Sequence, residues 1–236
     1  MVIYSLQTAR GGSKSVINKN MLNIEGKPLY KWNNDYSNQC PEIKKTFITT
    51  DIPDIIKNEK NVIIRPKELC GDHSSHYDTI IHGLKEIESI ENVSVDILVV
   101  LLGNNRGAYT QDLSVAIKML TNDTKADSIM SVGNYTMFNP YRAYKYNNGY
   151  VDTYIDQKIT KKAVKSNHNN KDAYGEVYFF NGSFWVCRRE AIIKNKGLLP
   201  FPWLGNNILI YEQEPYIMEI DSKWQITLLN CIENDK

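Results

Sequence analysis

The sequence predicts an α/β fold, three layers thick, around a mostly parallel sheet. Apolar strand-like runs alternate with helical periodicity from the start of the chain to about residue 132. Residues 95–102 (VDILVVLL) are almost entirely apolar, as a strand covered on both faces requires. A hydrophobic fraction of 42% in 236 residues is enough for a sizeable core and too much for a disordered chain.

The elements follow in order. Residues 2–6 are a short apolar run leading into Thr8-Ala9-Arg10-Gly11-Gly12, a strand entering a glycine turn. Gly26-Lys27-Pro28 stands before Leu29, and proline at a first helical turn is a start signal. Residues 45–50 read as a second strand ending at Thr50-Asp51, 52–60 as a short helix and 62–65 as a third strand. Residues 72–87 are polar and then amphipathic, with Ile80, Ile81 and Leu84 spaced for one helix face. Residues 110–120 have a cap at Thr110 and a helical period, and 126–132 form another buried strand.

The rhythm then changes. Residues 140–154 are rich in Tyr and Asn and contain Asn147-Asn148-Gly149, a hairpin-type turn. Residues 158–171 are polar and basic without clear periodicity, which suits a mobile or partner-facing segment. Residues 178–187 return as an aromatic strand, 208–220 as one or two strands and 222–232 as a closing helix. No clean linker interrupts the chain, so residues 1–236 are expected to form one domain with an insertion at about 138–175.

Charge narrows the function. Lys and Arg number 28 against 27 Asp and Glu, for a net charge of +1. Such a chain has no global field for nucleic acid or an anionic membrane, so any phosphate chemistry must rest on a local basic cluster. No apolar stretch approaches the roughly 20 residues that span a bilayer, and the first residues lack a leader pattern. Cys40, Cys70, Cys187 and Cys231 are scattered without a CxxC and are expected to be reduced thiols in the cytoplasm.

Ala9-Arg10-Gly11-Gly12-Ser13-Lys14 follows the first strand. Two glycines let successive N–H groups converge on an anion, with Arg10 and Lys14 adding charge. Lys19-Asn20 supplies another cation and an amide. A basic surface turn is the plainer alternative. GxxxxGK[ST] and GxGxxG are both absent, which argues against a P-loop ATPase and a dinucleotide site.

The stretch ARGGSKSVINKNMLNIEGKPL resembles the opening of the CMP-sugar-acid synthetases, the acylneuraminate cytidylyltransferase family. Thr46 to Asp51, Ile63 to Leu69 with its trailing Asp72-His73-Ser74-Ser75, Asn181-Gly182 and Glu219-Ile220-Asp221 resemble later family segments in the same order. The resemblance implies a nucleotidyltransferase (Rossmann-like) fold with a small inserted dimerisation region. It implies transfer of CMP from CTP to a small acidic acceptor with release of pyrophosphate, in a homodimer that uses Mg²⁺. By this likeness Ala9, Arg10, Gly11, Gly12, Ser13, Lys14, Lys19, Asn20, Arg65, Ser75, Gly103 and Asn104 hold nucleotide. Arg10, Lys19 and Asp221 carry the catalysis, and Glu219 and Asp221 hold the metal. As residues of one strand end, Glu219 and Asp221 would face the same way and offer hard oxygen ligands; a solvated strand end is the alternative.

Two departures stand out. Where the family has LLQPTSPLR after its central strand, this chain has Leu101-Leu102-Gly103-Asn104-Asn105-Arg106-Gly107-Ala108-Tyr109. Asn104 and Asn105 remain candidates for a pyrimidine edge, and the base preference stays open. The acceptor arginines of sialate-type members are replaced near Lys171 and Phe179. Arg106, Arg142, Lys171 and Asn181 are then the expected acceptor contacts, for a sugar acid or a phosphonate- or phosphate-type molecule.

Competing constellations are weaker. Cys70, His73 and His76, with Asp72 and Asp78, have ligand types for zinc, but no second cluster completes a four-coordinate site. A G-x-S-x-G elbow is absent, and His82 falls within a helical pattern. A non-catalytic nucleotide-binding relative, or one using a different base, is the alternative to an active cytidylyltransferase.

Overall fold

The computed structural model describes residues 1–71, 73–164 and 168–234, the side chains of 230–234 excepted. The strands are β1 (Ile3–Ala9), β2 (Asn23–Ile24), β3 (Lys27–Pro28), β4 (Thr46–Thr50), β5 (Val62–Ile64), β6 (Ile97–Leu102), β7 (Ser128–Asn134), β8 (Tyr144–Asn147), β9 (Tyr150–Thr153), β10 (Tyr178–Arg188) and β11 (Ile208–Gln213). The helices are α1 (Leu29–Gln39), α2 (Pro53–Asn58), α3 (His76–Glu91), α4 (Thr110–Asn122), α5 (Gln157–Ala163), α6 (Arg189–Lys194) and α7 (Lys223–Asn234).

Seven strands make one sheet in the order β11-β7-β10-β6-β1-β4-β5. β1 pairs in parallel with β4 and β6, β4 with β5, and β7 with β11. β10 alone is reversed, antiparallel to β6 and β7. The sheet is therefore mostly parallel, as the strand–helix alternation requires.

β6 shows why the sheet is buried on both faces. Ile97, Val99 and Leu101 pack with Leu113, Ile117 and Phe184, on the face that α4 covers. Leu98 and Val100 pack oppositely with Ile80, Leu84 and Trp185, beneath α3. These five side chains are fully buried, and Leu102 at the strand's end is partly exposed. The period of two sends alternate residues to each core, and each buried aliphatic side chain contributes about 1.5–3 kcal/mol.

β8 and β9 form the expected hairpin, with Asn147 paired to Tyr150 across Asn148-Gly149. Both turn residues have positive φ, 47° and 90°, the pattern of a two-residue hairpin turn.

Four local expectations change. Thr110 is not a cap: Tyr109 holds that place, and the Thr110 hydroxyl donates to the Tyr36 carbonyl at 2.9 Å. Residues 158–171 include most of α5, capped by Asp156. α5 buries none of its residues, so it left no apolar period. The helix expected over 72–87 begins at His76, and Asp72 lies outside the described residues. Residues 208–220 hold a single strand, β11, which ends at Gln213. Pro215 follows, and Ile217 N–H turns back to the Glu214 carbonyl at 2.9 Å.

Candidate active site

Parallel strands deliver their C-terminal ends to one edge of the sheet, where such folds place their ligands. Thr8 is in register with Leu102, and Ala9 with Thr50. The loops after β1, β4 and β6 therefore leave side by side. A cleft of about 320 Å³ opens there. One part of its wall is polar: Arg10, Lys19, Asn20, Arg65, Asn104 and Glu219. The other is aromatic: His76, Phe180, Trp185 and Phe201.

The acidic pair reaches the cleft by a route other than a strand. Residues 214–221 fold across the β6 loop, where Ile220 N–H donates to the Asn104 carbonyl at 2.8 Å. The buried Asn104 amide lies 3.4 Å from Glu219 Oε2, 3.3 Å from Asp221 Oδ1 and 3.3 Å from the Ile220 carbonyl. Lys19 Nζ pairs with Asp221 Oδ1 at 2.5 Å. The carboxylates thus converge because Asn104 gathers them, correcting the strand-end geometry expected from their spacing. Burial and then the charge of Asp221 push the Glu219 carboxyl up, while Asn104 and Lys19 pull it down. A carboxylate held beside a second one in this way favours a nearby cation.

The glycine turn also holds an anion. Gly11 N–H donates to Asp51 Oδ1 at 2.7 Å. Asp51 was not singled out from the sequence, although its place at the end of β4 was. The Arg10 guanidinium donates to the Cys70 carbonyl at 3.2 Å, and Asn20 Nδ2 donates to the Arg10 carbonyl at 2.8 Å. Gly12 and Lys14 are exposed, and Ser13 is half-buried. Gly103 N–H donates to the Thr8 carbonyl at 3.0 Å, which ties the β6 loop to β1. Arg65 is buried, with Nη2 donating to the Thr49 carbonyl at 3.0 Å. Burial lowers its pKa, opposed by the nearby Asp51 charge.

Several expected contacts are not brought to this cleft. Ser75 is exposed at the start of α3 and is not part of the cleft wall. Arg106 turns to a separate cavity beside Tyr109 and Tyr216. Its guanidinium pairs with Glu25 at 3.5 Å and lies 4.6 Å over the Trp32 ring. Asn105 is buried: its amide donates to the Asn181 carbonyl at 3.1 Å, and its Oδ1 accepts from Gly107 N–H. Asn181 is consumed internally, with Nδ2 donating to Gln213 at 2.8 Å and Oδ1 accepting from Ser131 at 2.7 Å. Arg142 lines a surface pocket beside β8 and α5, and Lys171 is exposed and paired with Asp172. Among the described residues no group of three or more His, Cys, Asp or Glu is placed to hold a metal, so the zinc constellation around Cys70 is not assembled there.

The aromatic wall was missed. Phe180 stacks on Trp185 with centroids 3.8 Å apart at 18°, and Phe201 meets Trp185 edge-on at 5.5 Å. These residues come from β10 and the segment after α6, so only the fold joins them. His76 appeared in the sequence only among possible zinc ligands.

The family model described as Cytidylyltransferase matches residues 6–233. A bifunctional protein of Helicobacter pylori (strain ATCC 700392 / 26695) is 24% identical over 158 residues. It is called pseudaminic acid cytidylyltransferase and UDP-2,4-diacetamido-2,4,6-trideoxy-beta-L-altropyranose hydrolase. The match takes in 65% of this chain and spans only 30% of that relative's length. Among solved structures, CMP:2-keto-3-deoxy-manno-octonic acid synthetase complexed with CTP superposes with a TM-score of 0.65 and 18% identity, covering 100% of both chains. The 4-diphosphocytidyl-2C-methyl-D-erythritol synthase of Anaerococcus prevotii DSM 20548 gives 0.63 at 12% identity, covering 99% of this chain and 96% of its own. Both likenesses confirm the nucleotidyltransferase-type fold.

Proposed function

Because the chain belongs to the cytidylyltransferase family, we propose that it transfers CMP from CTP to a small acidic acceptor and releases pyrophosphate. The acceptor class is a sugar acid or a phosphonate- or phosphate-type molecule. The observation that carries this is the convergence of Arg10 and Lys19 with Glu219 and Asp221 around one cleft at the sheet's C-terminal edge.

In the reaction an acceptor oxygen bonds to the α-phosphorus as the bond to the β-phosphate bridging oxygen breaks. The acceptor's proton passes to solvent, and the electron pair of the broken bond departs on pyrophosphate. No protein nucleophile is needed; positioning and charge neutralisation are. Arg10, Lys19 and the turn at residues 10–13 hold the triphosphate, and Asn20 orients the nucleotide. The acidic pair suits Mg²⁺: two carboxylates gathered by one amide offer hard oxygens, and a cation, Lys19, already sits on Asp221. When bound, that ion supplies charge neutralisation of the phosphates.

The direct test is a coupled pyrophosphate assay with CTP, Mg²⁺ and a panel of sugar acids and small phosphonates. Release only when acceptor and CTP are both present supports the reading; none with any acid counts against it. Arg10→Ala removes a contact made before the reaction and during it. Steady-state kinetics should then show a raised KM for CTP together with a lower kcat.

The same reading takes the chain as one catalytic domain, working as a cytoplasmic homodimer. Cys40, Cys70 and Cys187 are free thiols, which suits a reducing compartment. The β8–β9 hairpin presents Tyr146 and Tyr150 with about four-fifths of their surface exposed, and tyrosine is favoured at interface cores. Light scattering should give a dimer mass for the intact chain and a monomer mass once residues 144–153 are replaced by a short Gly-Ser turn. A monomer mass for the intact chain would overturn the dimer.

A further inference from the structure

His76 sits where the polar and aromatic parts of the cleft wall meet. Its Nε2 lies 3.2 Å from Thr8 Oγ1, and its ring packs against Trp185 and Trp203 with centroids 5.7 and 6.4 Å away. Thr8 has one hydroxyl proton, directed to the Leu101 carbonyl at 3.4 Å. The tautomer that satisfies both contacts carries its proton on Nε2 and donates it to Thr8. Nδ1 then carries a lone pair, and the contact to Thr8 is made by the other ring nitrogen. Burial, and then the Arg65 charge, lower the His76 pKa to about 4, so the ring stays neutral at physiological pH. In this tautomer Nδ1 is an acceptor, and charging the ring to make it a donor is disfavoured.

The same end of the cleft holds buried donors. Arg65 Nε and Trp185 Nε1 have no partner among the described residues, and orphaned buried polar atoms in a native fold call for an explanation. The Phe180–Trp185 stack presents flat surface beside them, of the kind on which a base stacks. Taken together, the wall offers one acceptor beside an aromatic face.

We propose that His76 is the residue by which this cleft selects cytosine, its Nδ1 accepting a hydrogen bond from the exocyclic amine of the base. Cytosine presents that amine as a donor and its ring N3 and O2 as acceptors. Uracil presents an oxygen where the amine stands and an N–H at N3. Its oxygen would meet the Nδ1 lone pair. The assignment rests on the CTP-dependent transfer proposed above.

The test is calorimetric titration of the intact chain with CTP and UTP in the presence of Mg²⁺. Wild type should favour CTP by about 10- to 100-fold, the range for a buried polar group left unpaired. His76→Phe keeps a flat ring and removes the acceptor; its preference should fall to within about threefold, the residue left by a weak polar difference. A second arm needs no variant. The triphosphate of pyrimidin-2-one riboside, which has hydrogen in place of the amine, should bind wild type as weakly as UTP does. On His76→Phe it should match CTP. A wild-type CTP-to-UTP ratio retained in His76→Phe overturns the proposal, as does the amine-free nucleotide binding wild type as tightly as CTP. These are binding ratios, so they decide the role of His76 even if no acid gives pyrophosphate release, an outcome that would instead sink the transfer reading.

Discussion

Asp221→Asn is expected to lower CMP transfer by about 10²–10³-fold while leaving the melting temperature nearly unchanged. The Asp221 side chain is about half exposed, at 49%, so little packing depends on it. Its roles are electrostatic: it pairs with Lys19 and lies 3.3 Å from the Asn104 amide shared with Glu219. Asparagine keeps the shape and removes the charge. An amide oxygen in its place still fills the site but no longer balances a cation beside the triphosphate. The surface ion pair with Lys19 contributes about 0–1 kcal/mol, which is why stability should barely move. Steady-state kinetics beside a thermal melt separates the two effects. Near wild-type transfer from a normally folded Asp221→Asn protein would make the pair an ordinary solvated feature.

Gly182→Ala should damage both fold and activity. Gly182 has φ +83°, a conformation that costs a residue with a Cβ about 1–2 kcal/mol. A Cβ there would also lie 2.7 Å from Glu219 Cβ and 3.1 Å from its backbone nitrogen. The backbone contact does not relax by a rotamer change, so the segment carrying Glu219 must shift. Overpacking of this kind adds about 1–3 kcal/mol. For a chain of this size the sum lowers the melting temperature by roughly 4–20 °C. Transfer should fall as well, because the displaced segment holds the acidic pair. Gly149→Ala is the control: its φ is +90°, but nothing lies within 4 Å of the added carbon. That variant should show strain alone, with a smaller loss of stability. Equal melts for the two variants would contradict the close approach at Gly182.

What was legible in the sequence was local. β6 announces itself as an unbroken apolar run, and the turn after β1 carries its glycines and cations within six residues. Glu219 and Asp221 are marked by their likeness to the family's closing acidic pair, but the strand-end geometry expected for them does not hold. The strand they were placed on ends at Gln213, and a hydrogen bond to Asn104, over a hundred residues away, brings them in. No periodicity encodes such a contact. Arg106 shows the converse. It lies two residues from Asn104, yet Asn105 Oδ1 caps Gly107 N–H and turns the loop so that Arg106 packs on Trp32 instead. Asn181 looked like a contact because it precedes Gly182, and its amide is used within the sheet. The aromatic wall was invisible for the same cause: His76, Trp185 and Phe201 come from three separate stretches of chain.

Label tracing tests the central claim most directly. The intact chain is incubated with Mg²⁺, a panel of acidic acceptors and CTP carrying phosphorus-32 at the α-position, beside an Asp221→Asn control. Transfer predicts that the label appears in a new CMP–acceptor conjugate with at least one acid, in step with unlabelled pyrophosphate, and that the control forms little of it. Label that stays in CTP with every acid, or emerges only as free CMP, would contradict the account.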